Sequence, residues 1–370
     1  MAKLALALGT LALVFAALEL GLRAADYDPL RGLREDDWRE LFIRTSKVPL
    51  LGYELTPGAR GEGWGCETVI NRHGFRDREC ELEKPAGTLR VVAIGDSITF
   101  GNMLPVEDSY PKQLEALLVA DGHAVEVLNF GVGGYDVLQS VVMLEQRALA
   151  FDPDAVVLGF CVNDLGTVSI SRSYIESMER YRSFPYGLRT VQWLGLRRDR
   201  LSLQQGFREK NREERFARDN AETIADVSGD SGLAESMRAL EALLPADPVP
   251  AAQHVFLSWY ASAAHLGKVR FAFERLAGVA LRRDLPVAVA IIPYLAEGDL
   301  VPAYDQAYAM IGREARRAGL DVLELKDVFR AFGPARLRIE ARDHVHPDRE
   351  GHALIARALE AWLADSDLLR

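Results

Sequence analysis

Between Leu89 and the C-terminus, short apolar runs alternate with longer stretches in which apolar residues recur every three or four positions. The short runs predict buried strands and the periodic stretches predict amphipathic helices. The predicted strands are LRVVAIG, AVEVLNFG, DAVVLGFCVND, LPVAVAIIPY and LDVLELKDVF. Because helices separate the strands, the crossovers favour a mostly parallel sheet with helices on both faces. The fold class predicted is therefore α/β, a three-layer sandwich around a mostly parallel five-stranded sheet.

One segment breaks this alternation, between the third and fourth predicted strands. Residues 165–283 are too many for a single crossover and contain several helical patterns. We expect a largely helical insertion there. Loops at the carboxyl ends of parallel strands carry substrate contacts in α/β folds, which favours a cap over that edge of the sheet. The alternative is a solvated helical excursion that packs only on itself.

The N-terminus carries a membrane-type segment. Residues 4–18 contain no charge and are almost wholly Ala, Leu, Val and Phe. Extended to Leu22, the stretch is long enough to cross a bilayer of roughly 30 Å as a helix. Residues 1–25 are therefore predicted to be a membrane anchor with the rest of the chain outside the cytoplasm. The alternative is a signal peptide whose cleavage leaves a secreted or periplasmic protein.

An irregular lead-in is predicted over residues 26–86, before an α/β domain that extends over residues 87–370. The lead-in has little periodicity and is rich in Gly, Pro and charge. Cys66 and Cys80 flank its segment NRHGFRD. In an exported protein these two cysteines could form a disulfide, and the alternative is two unpaired thiols.

Composition excludes several classes of function. The chain has 54 acidic and 44 basic residues, a formal net charge of −10, so a nucleic-acid partner is not expected. Its 3 cysteines include no CxxC pair, which argues against a structural metal. There is no Walker A motif and no Rossmann glycine fingerprint. We expect neither a metal nor an organic cofactor.

Candidate chemistry lies at the ends of three predicted strands. A Gly-Asp-Ser sequence ending in Ser97 follows the first strand, Gly134 lies in the loop after the second, and Asn163 follows the third. A serine nucleophile needs a base, and Asp343 and His346 lie three positions apart just before the last helix. That spacing lets the carboxylate orient one ring nitrogen and leaves the other for Ser97. Backbone amides and the Asn163 carboxamide are suitable donors to an oxyanion.

These motifs, in this order, resemble the SGNH/GDSL hydrolase superfamily over roughly residues 88–165 and 285–365. The resemblance implies that Ser97 is the nucleophile and that His346, oriented by Asp343, is the base. It also implies an ester hydrolase that needs no metal or cofactor.

The resemblance further implies an oxyanion hole formed by the backbone amide of Ser97, by Gly134 and by Asn163. The segment NRHGFRD resembles one in membrane-bound bacterial members of the superfamily. One departure is that the family usually has glycine shortly before the asparagine, where this chain has Cys161 and Val162.

Two other motifs compete with this assignment. Gly229-Asp230-Ser231 repeats the tripeptide, but it lies in the insertion and follows no convincing strand. His344 is adjacent to Asp343 and is a rival base, which we expect to point away from the serine.

The function predicted is hydrolysis of an O-acyl ester carried by a small molecule, by an envelope or secreted polysaccharide, or by a lipid. The same site would also serve an acyltransferase, in which a sugar hydroxyl replaces water. A different class of function is an envelope or glycan-binding protein that retains the fold without turnover.

Overall fold

The computed structural model describes residues 2–27, 39–48, 50–166, 188–195, 216, 218–244, 251–366 and 368–369. The strands include β1 (Ile43–Thr45), β2 (Tyr53–Leu55), β3 (Arg60–Gly63), β4 (Cys66–Val69), β5 (Leu89–Gly95), β6 (Val125–Asn129), β7 (Ala155–Phe160), β8 (Val287–Ile291) and β9 (Asp321–Glu324). The helices include α1 (Ala2–Ala24), α2 (Arg39–Phe42), α3 (Ser97–Phe100), α4 (Tyr110–Ala120), α5 (Val137–Gln146), α6 (Ala221–Gly229), α7 (Ser231–Leu243), α8 (Ala251–Tyr260), α9 (Ala263–Arg283), α10 (Val301–Arg317), α11 (Lys326–Phe332) and α12 (Arg349–Asp365).

A parallel sheet of five strands, in the order β6-β5-β7-β8-β9, forms the centre of the fold. From β5 the chain moves to β6 at one edge, and it then crosses back over β5 to reach β7. The direction of winding therefore reverses beside β5. Open parallel sheets bind ligands at the carboxyl ends of the strands at such a reversal.

The sheet is covered on both faces by apolar side chains, because its strands alternate between two cores. Along β5, Val92 and Ile94 lie in one core and Val91 and Ala93 lie in the other. The first core also contains apolar residues of α5, α9 and α10, and the second contains those of α4, α11 and α12. The three-layer α/β sandwich with a five-stranded sheet is confirmed.

The fifth predicted strand is longer than the one observed. Strand β9 ends at Glu324, and α11 begins at Lys326. The apolar run continues into α11, whose Phe329 is buried in the second core. Where a run of apolar residues continues from a strand into a helix, its pattern does not show at which residue the strand ends.

The lead-in carries two small antiparallel sheets that its sequence pattern does not indicate. Strand β1 pairs with β2, and β3 pairs with β4. These strands are only three or four residues long, too short to show a period. Cys66 and Cys80 are both free thiols, as is Cys161.

In the described part of the insertion, helices α6 to α9 continue the helical layer on one face of the sheet. The buried guanidinium of Arg270, on α9, pairs with Glu314 of α10 and with Asp226 and Asp230 at α6 and its end. The end of α8 approaches the carboxyl edge of the sheet, where Tyr260 Oη donates to the carbonyl of Val162 at 3.2 Å. The cap was predicted for the whole insertion, residues 165–283, of which residues 167–187 and 196–215 lie outside the described residues.

Helix α1 is long and apolar enough to cross a membrane by length and composition, over Ala5–Ala24. Almost all of its side chains are exposed, but Glu19 is 8% exposed. The Glu19 carboxylate accepts hydrogen bonds from the backbone N–H and the hydroxyl of Thr190, at 2.8 and 2.9 Å. Arg189 donates to the carbonyl of Leu22 at 3.1 Å. The carboxyl end of α1 is thus joined to residues 188–195 of the insertion.

Candidate active site

Ser97 is the first residue of α3, two positions after strand β5 ends at Gly95. Gly95 has φ +153°, and a Cβ there would lie 2.2 Å from Thr99 Oγ1 and 2.7 Å from the carbonyl of Gly159. Only glycine therefore permits the tight turn from strand to helix. Asp96 caps the helix, because its Oδ1 accepts from Ile98 N at 2.9 Å. This turn places Ser97 at the carboxyl edge of the sheet.

His346 lies in the loop before α12, where Asp343 shapes the turn. Asp343 Oδ1 accepts from the backbone N–H groups of Val345 and His346 at 2.8 and 2.9 Å. Its other oxygen, Oδ2, lies 2.7 Å from Nδ1 of His346. The opposite ring nitrogen, Nε2, lies 2.9 Å from Oγ of Ser97. The structure thus brings the predicted serine, histidine and aspartate together in one hydrogen-bonded series.

The charge on Asp343 determines the tautomer of His346. Partial burial raises the pKa of Asp343, but the hydrogen bonds from the His346 side chain and from the two backbone N–H groups more than offset this and lower the pKa to about 2. The carboxylate is therefore ionised at neutral pH. It holds the imidazole proton on Nδ1, which leaves the lone pair of Nε2 free to accept the Ser97 hydroxyl proton.

The predicted oxyanion donors lie at the same edge of the sheet. Asn163 is 7% exposed, and its Nδ2 donates to Oδ2 of Asp96 at 3.2 Å. The same oxygen lies 3.2 Å from Oγ of Ser97, so Asp96 joins Asn163 to the serine. An amide nitrogen has two hydrogens, and one remains for a substrate oxygen. Within the described chain, the N–H groups of Ser97 and Gly134 donate no hydrogen bond, and Gly134 contacts neither Ser97 nor Asn163 by one.

The loop after β6, which carries Gly134, packs directly on α3, the helix that begins at Ser97. A Cβ at Gly131 would lie 2.3 Å from the backbone nitrogen of Phe100 in α3. Any side chain at that position would separate the loop from α3. Gly131 is therefore needed where this loop passes α3. It is a second glycine of the loop with a role, beside Gly134, which is predicted as an oxyanion donor.

Beneath Ser97, Asp96 and Asp164 surround the thiol of Cys161. The sulfur lies 3.1 Å from Asp96 Oδ2 and 2.6 Å from Oδ1 of Asn163. Burial raises the pKa values of Asp164 and Cys161 well above their ordinary range. Asp96, Cys161 and Asp164 have the spacing of metal ligands. We expect a neutral thiol and a protonated Asp164, which are poor metal ligands, and the group supports the loop that carries Asn163.

The two rival motifs lie elsewhere. The ring of His344 stacks on Tyr294, with centroids 5.7 Å apart, and its Nδ1 lies 3.2 Å from the carbonyl of Leu295. Ser231 begins α7, where the side chain of Asp230 caps the helix by accepting from Leu233 N. Neither motif contributes to the group around Ser97.

Two residues near this group were missed by sequence reasoning. Asn102 Nδ2 lies 3.3 Å from Nε2 of His346. Arg76, 1% exposed, donates to the carbonyls of Phe100, Gly101 and Leu104 on either side of Asn102. Neither residue lies at the end of a predicted strand. Arg76 belongs to the segment NRHGFRD, whose resemblance to membrane-bound members assigns it no role, and Asn102 belongs to no motif.

The family model of the GDSL-like Lipase/Acylhydrolase family matches residues 93–354, from β5 into α12. The chain belongs to this family. The match includes Ser97, Gly134, Asn163, Asp343 and His346, and it confirms the resemblance drawn from the motifs. Membership associates the chain with ester hydrolysis in general and leaves the substrate open.

Several solved structures are similar to this GDSL-like protein. They include LAE5, an alpha/beta hydrolase enzyme from the metagenome of Lake Arreo, Spain, at 16% identity and TM-score 0.41, covering 76% of this chain and 96% of that chain. A lipase/acylhydrolase from Enterococcus faecalis has 13% identity and TM-score 0.41, with 75% and 96% coverage. The acetyl xylan esterase AlAXEase has 16% identity and TM-score 0.38, with 75% and 99% coverage. None of the curated proteins searched matches the chain.

Proposed function

We propose that this protein is a serine ester hydrolase in which Ser97 attacks the ester carbonyl, His346 acts as the general base and Asp343 orients the histidine. The observation that carries the proposal is the continuous contact from Asp343 Oδ2 to His346 Nδ1, 2.7 Å, and from His346 Nε2 to Ser97 Oγ, 2.9 Å. These distances are within the range that proton transfer to a general base requires.

The reaction would proceed in two halves. In the first, Nε2 of His346 removes the Ser97 proton as Oγ bonds to the acyl carbon, and the carbonyl oxygen becomes negative. The imidazolium then returns the proton to the alkoxy oxygen as the C–O bond breaks. In the second half, water gives a proton to Nε2 as its oxygen bonds to the acyl carbon. The bond from the acyl carbon to Oγ then breaks, the imidazolium returns the proton to Oγ of Ser97, and the acid is released.

The oxyanion in both halves would be stabilised by the backbone N–H groups of Ser97 and Gly134 and by Nδ2 of Asn163. Fixed dipoles of this kind need no reorganisation when the charge develops, and one such donor is worth about 3 kcal/mol of barrier. Asp96 holds the Asn163 amide beside the serine by the 3.2 Å contact to its Nδ2.

We further propose that α1 is retained as a membrane anchor and that the active site lies outside the cytoplasm. The contacts of Glu19 with Thr190 and of Leu22 with Arg189 support retention, because cleavage would remove both partners. The intact mass of the protein purified from membranes tests this. A mass that includes residues 1–25 is expected, and a mass that starts after them would overturn the anchor.

The substrate class proposed is an O-acyl group on an envelope or secreted polysaccharide. The support is the proposed location, because an anchored extracytoplasmic enzyme meets envelope and secreted glycans directly. A lipid ester would reach the same site from the membrane, and transfer of the acyl group to a sugar hydroxyl uses the same residues.

The experiment is to incubate the full-length protein in mild detergent with O-acetylated polysaccharide and, separately, with a phospholipid or triglyceride. Mass spectrometry would identify the released acids, and Ser97→Ala is the matched control. Acid released from polysaccharide by the wild type alone supports the proposal. Release from lipid alone would move the substrate class to lipids. Acyl groups appearing on an added oligosaccharide without free acid would identify a transferase, and no Ser97-dependent release would contradict an esterase.

A further inference from the structure

Asn102 lies against the reactive nitrogen of His346, outside the motifs that define the proposed reaction. Its side-chain Nδ2 is 3.3 Å from Nε2, the ring nitrogen that also contacts Ser97 Oγ. Oδ1 of the same amide is buried and has no hydrogen-bond partner among the described residues. The orientation of the amide is therefore determined by what its nitrogen faces.

The ionised Asp343 determines which amide atom faces the histidine. Because Asp343 holds the imidazole proton on Nδ1, Nε2 presents a lone pair. An amide oxygen there would repel that lone pair, whereas an N–H is attracted to it. The donor end of Asn102 is therefore the end at the active site.

The lead-in segment holds Asn102 in this place. The Asn102 backbone N–H donates to the carbonyl of Ser97 at 3.0 Å. On either side, the buried guanidinium of Arg76 donates to the carbonyls of Gly101, at 2.6 Å, and Leu104, at 2.5 Å. A side chain on a backbone that is fixed from both sides has fewer conformations to lose when it makes a further hydrogen bond. Arg76 is thus a positioning residue for Asn102.

The oxygen that exchanges a proton with Nε2 must lie within about 3 Å of that nitrogen. In the first half-reaction this oxygen is the alkoxy oxygen of the leaving alcohol. Since Asn102 Nδ2 is 3.3 Å from Nε2, an oxygen bonded to Nε2 on the side that faces Asn102 is within reach of the amide as well. Its N–H groups are donors, which match an oxygen that gains negative charge.

We propose that Asn102 is a catalytic residue that donates a hydrogen bond to the leaving alkoxy oxygen. As the bond from the acyl carbon to this oxygen breaks, the electron pair goes to the oxygen and the proton comes from Nε2 of the imidazolium. Asn102 transfers no proton and stabilises the charge that precedes protonation. In the second half-reaction, the same amide donates a hydrogen bond to the oxygen of the incoming water. This inference rests on the proposed function of Ser97 and His346.

The consequence is that the contribution of Asn102 depends on the leaving group, and it is largest for esters whose alcohol is a poor leaving group. An alkyl or sugar alcohol leaves with a large charge on oxygen and depends on the donor, whereas 4-nitrophenolate delocalises its charge and leaves without help. Loss of Asn102 should therefore slow alkyl esters much more than 4-nitrophenyl esters of the same acid. A purely structural role would slow both alike.

The test compares kcat/KM for ethyl acetate with kcat/KM for 4-nitrophenyl acetate in the full-length protein. For each ester, kcat/KM reports only the first half-reaction. Asn102→Leu keeps the shape of the side chain and removes the donor. Asn102→Ala removes the amide altogether and adds no charge beside Nε2. For both variants we expect kcat/KM for ethyl acetate to fall on the order of 10- to 100-fold and that for 4-nitrophenyl acetate to fall by less than about 3-fold.

Equal losses on the two acetates, or no loss on either, would overturn the role of Asn102. Thermal unfolding of each variant identifies one that has not folded, and the second variant then decides the test. Ser97→Ala is measured alongside. If Ser97→Ala retains activity on both acetates, the proposed function itself fails. If Ser97→Ala is inactive while the Asn102 variants lose both activities equally, only this inference fails.

Discussion

Ser97 and His346 are 249 positions apart in the chain, yet Oγ of the serine lies 2.9 Å from Nε2 of the histidine. The serine is positioned by the end of strand β5 and the histidine by the loop before α12. These elements meet because α12 and α4 cover the same face of the sheet. The candidate site therefore depends on the complete α/β sandwich.

Asp343→Asn is expected to lower kcat by about 10³- to 10⁴-fold with little change in KM. The neutral amide can no longer hold the imidazole proton on Nδ1 or stabilise the imidazolium, and a similar change in a well-studied triad costs about 10⁴-fold. Steady-state hydrolysis of 4-nitrophenyl acetate measures the effect. Asp348→Asn is the matched control, because Asp348 lies in the same loop and caps α12, a role that asparagine also fills. Equal losses in the two variants would contradict the assignment.

His352→Asn is expected to make the protein less sensitive to acid. Burial, followed by repulsion from His346 and Arg76, lowers the pKa of His352 from 6.5 to about 3 in the folded state. As the pH falls below 6.5, the unfolded chain gains a proton at this residue that the folded chain cannot take until about pH 3, so stability declines over that window.

The asparagine introduced by this substitution would keep an acceptor for the Tyr110 N–H, which now donates to Nδ1 of His352 at 2.9 Å. Between pH 7 and pH 5 the wild type should lose about 2 kcal/mol more unfolding free energy than His352→Asn. Urea denaturation at the two pH values measures the difference. Identical losses in the two proteins would show that His352 is not held neutral.

Arg76→Met is expected to lower the free energy of unfolding by about 3 kcal/mol, because it removes the buried guanidinium that donates to the carbonyls of Phe100, Gly101 and Leu104. Arg72→Met is the control in the same segment, since Arg72 is half exposed and its ion pair with Glu81 is on the surface. Chemical denaturation of both variants measures the difference. If Arg76→Met lost no more unfolding free energy than Arg72→Met, this would contradict the structural account of the lead-in.

The thiols are expected to differ in reactivity. Burial raises the pKa values of Cys80 and Cys161, whereas Cys66 is partly exposed. In the native protein, a disulfide reagent such as DTNB should react quickly with one thiol at most, and Cys66→Ser should remove that reaction. After denaturation without reductant, three thiols are expected. A single thiol would show instead that Cys66 and Cys80 are bonded.

The sheet and the residues around Ser97 could be predicted because they follow simple rules. Parallel strands that are buried on both faces give continuous apolar runs, and their carboxyl ends meet at one edge, so Ser97 after β5 and Asn163 after β7 are expected at that edge. The three-residue spacing of Asp343 and His346 is a local property that the sequence displays directly.

Other features could not be predicted, because they arise from contacts between distant segments. Arg76 looked like one more charged residue in an irregular stretch, and only the folded chain shows its guanidinium buried against the loop after α3. Asn102 is 244 positions from His346 in the chain, and no motif links the two residues. The end of β9 was missed because its apolar residues continue into α11 without a change of pattern.

The central claim is that Ser97 is a nucleophile activated by His346. The most direct measurement is labelling of the full-length protein with a fluorophosphonate, followed by peptide mass spectrometry to locate the adduct. The account predicts one adduct on Ser97, its absence in Ser97→Ala, and labelling slowed by at least about 100-fold in His346→Ala. An adduct on another residue, or labelling of Ser97→Ala at the wild-type rate, would contradict it.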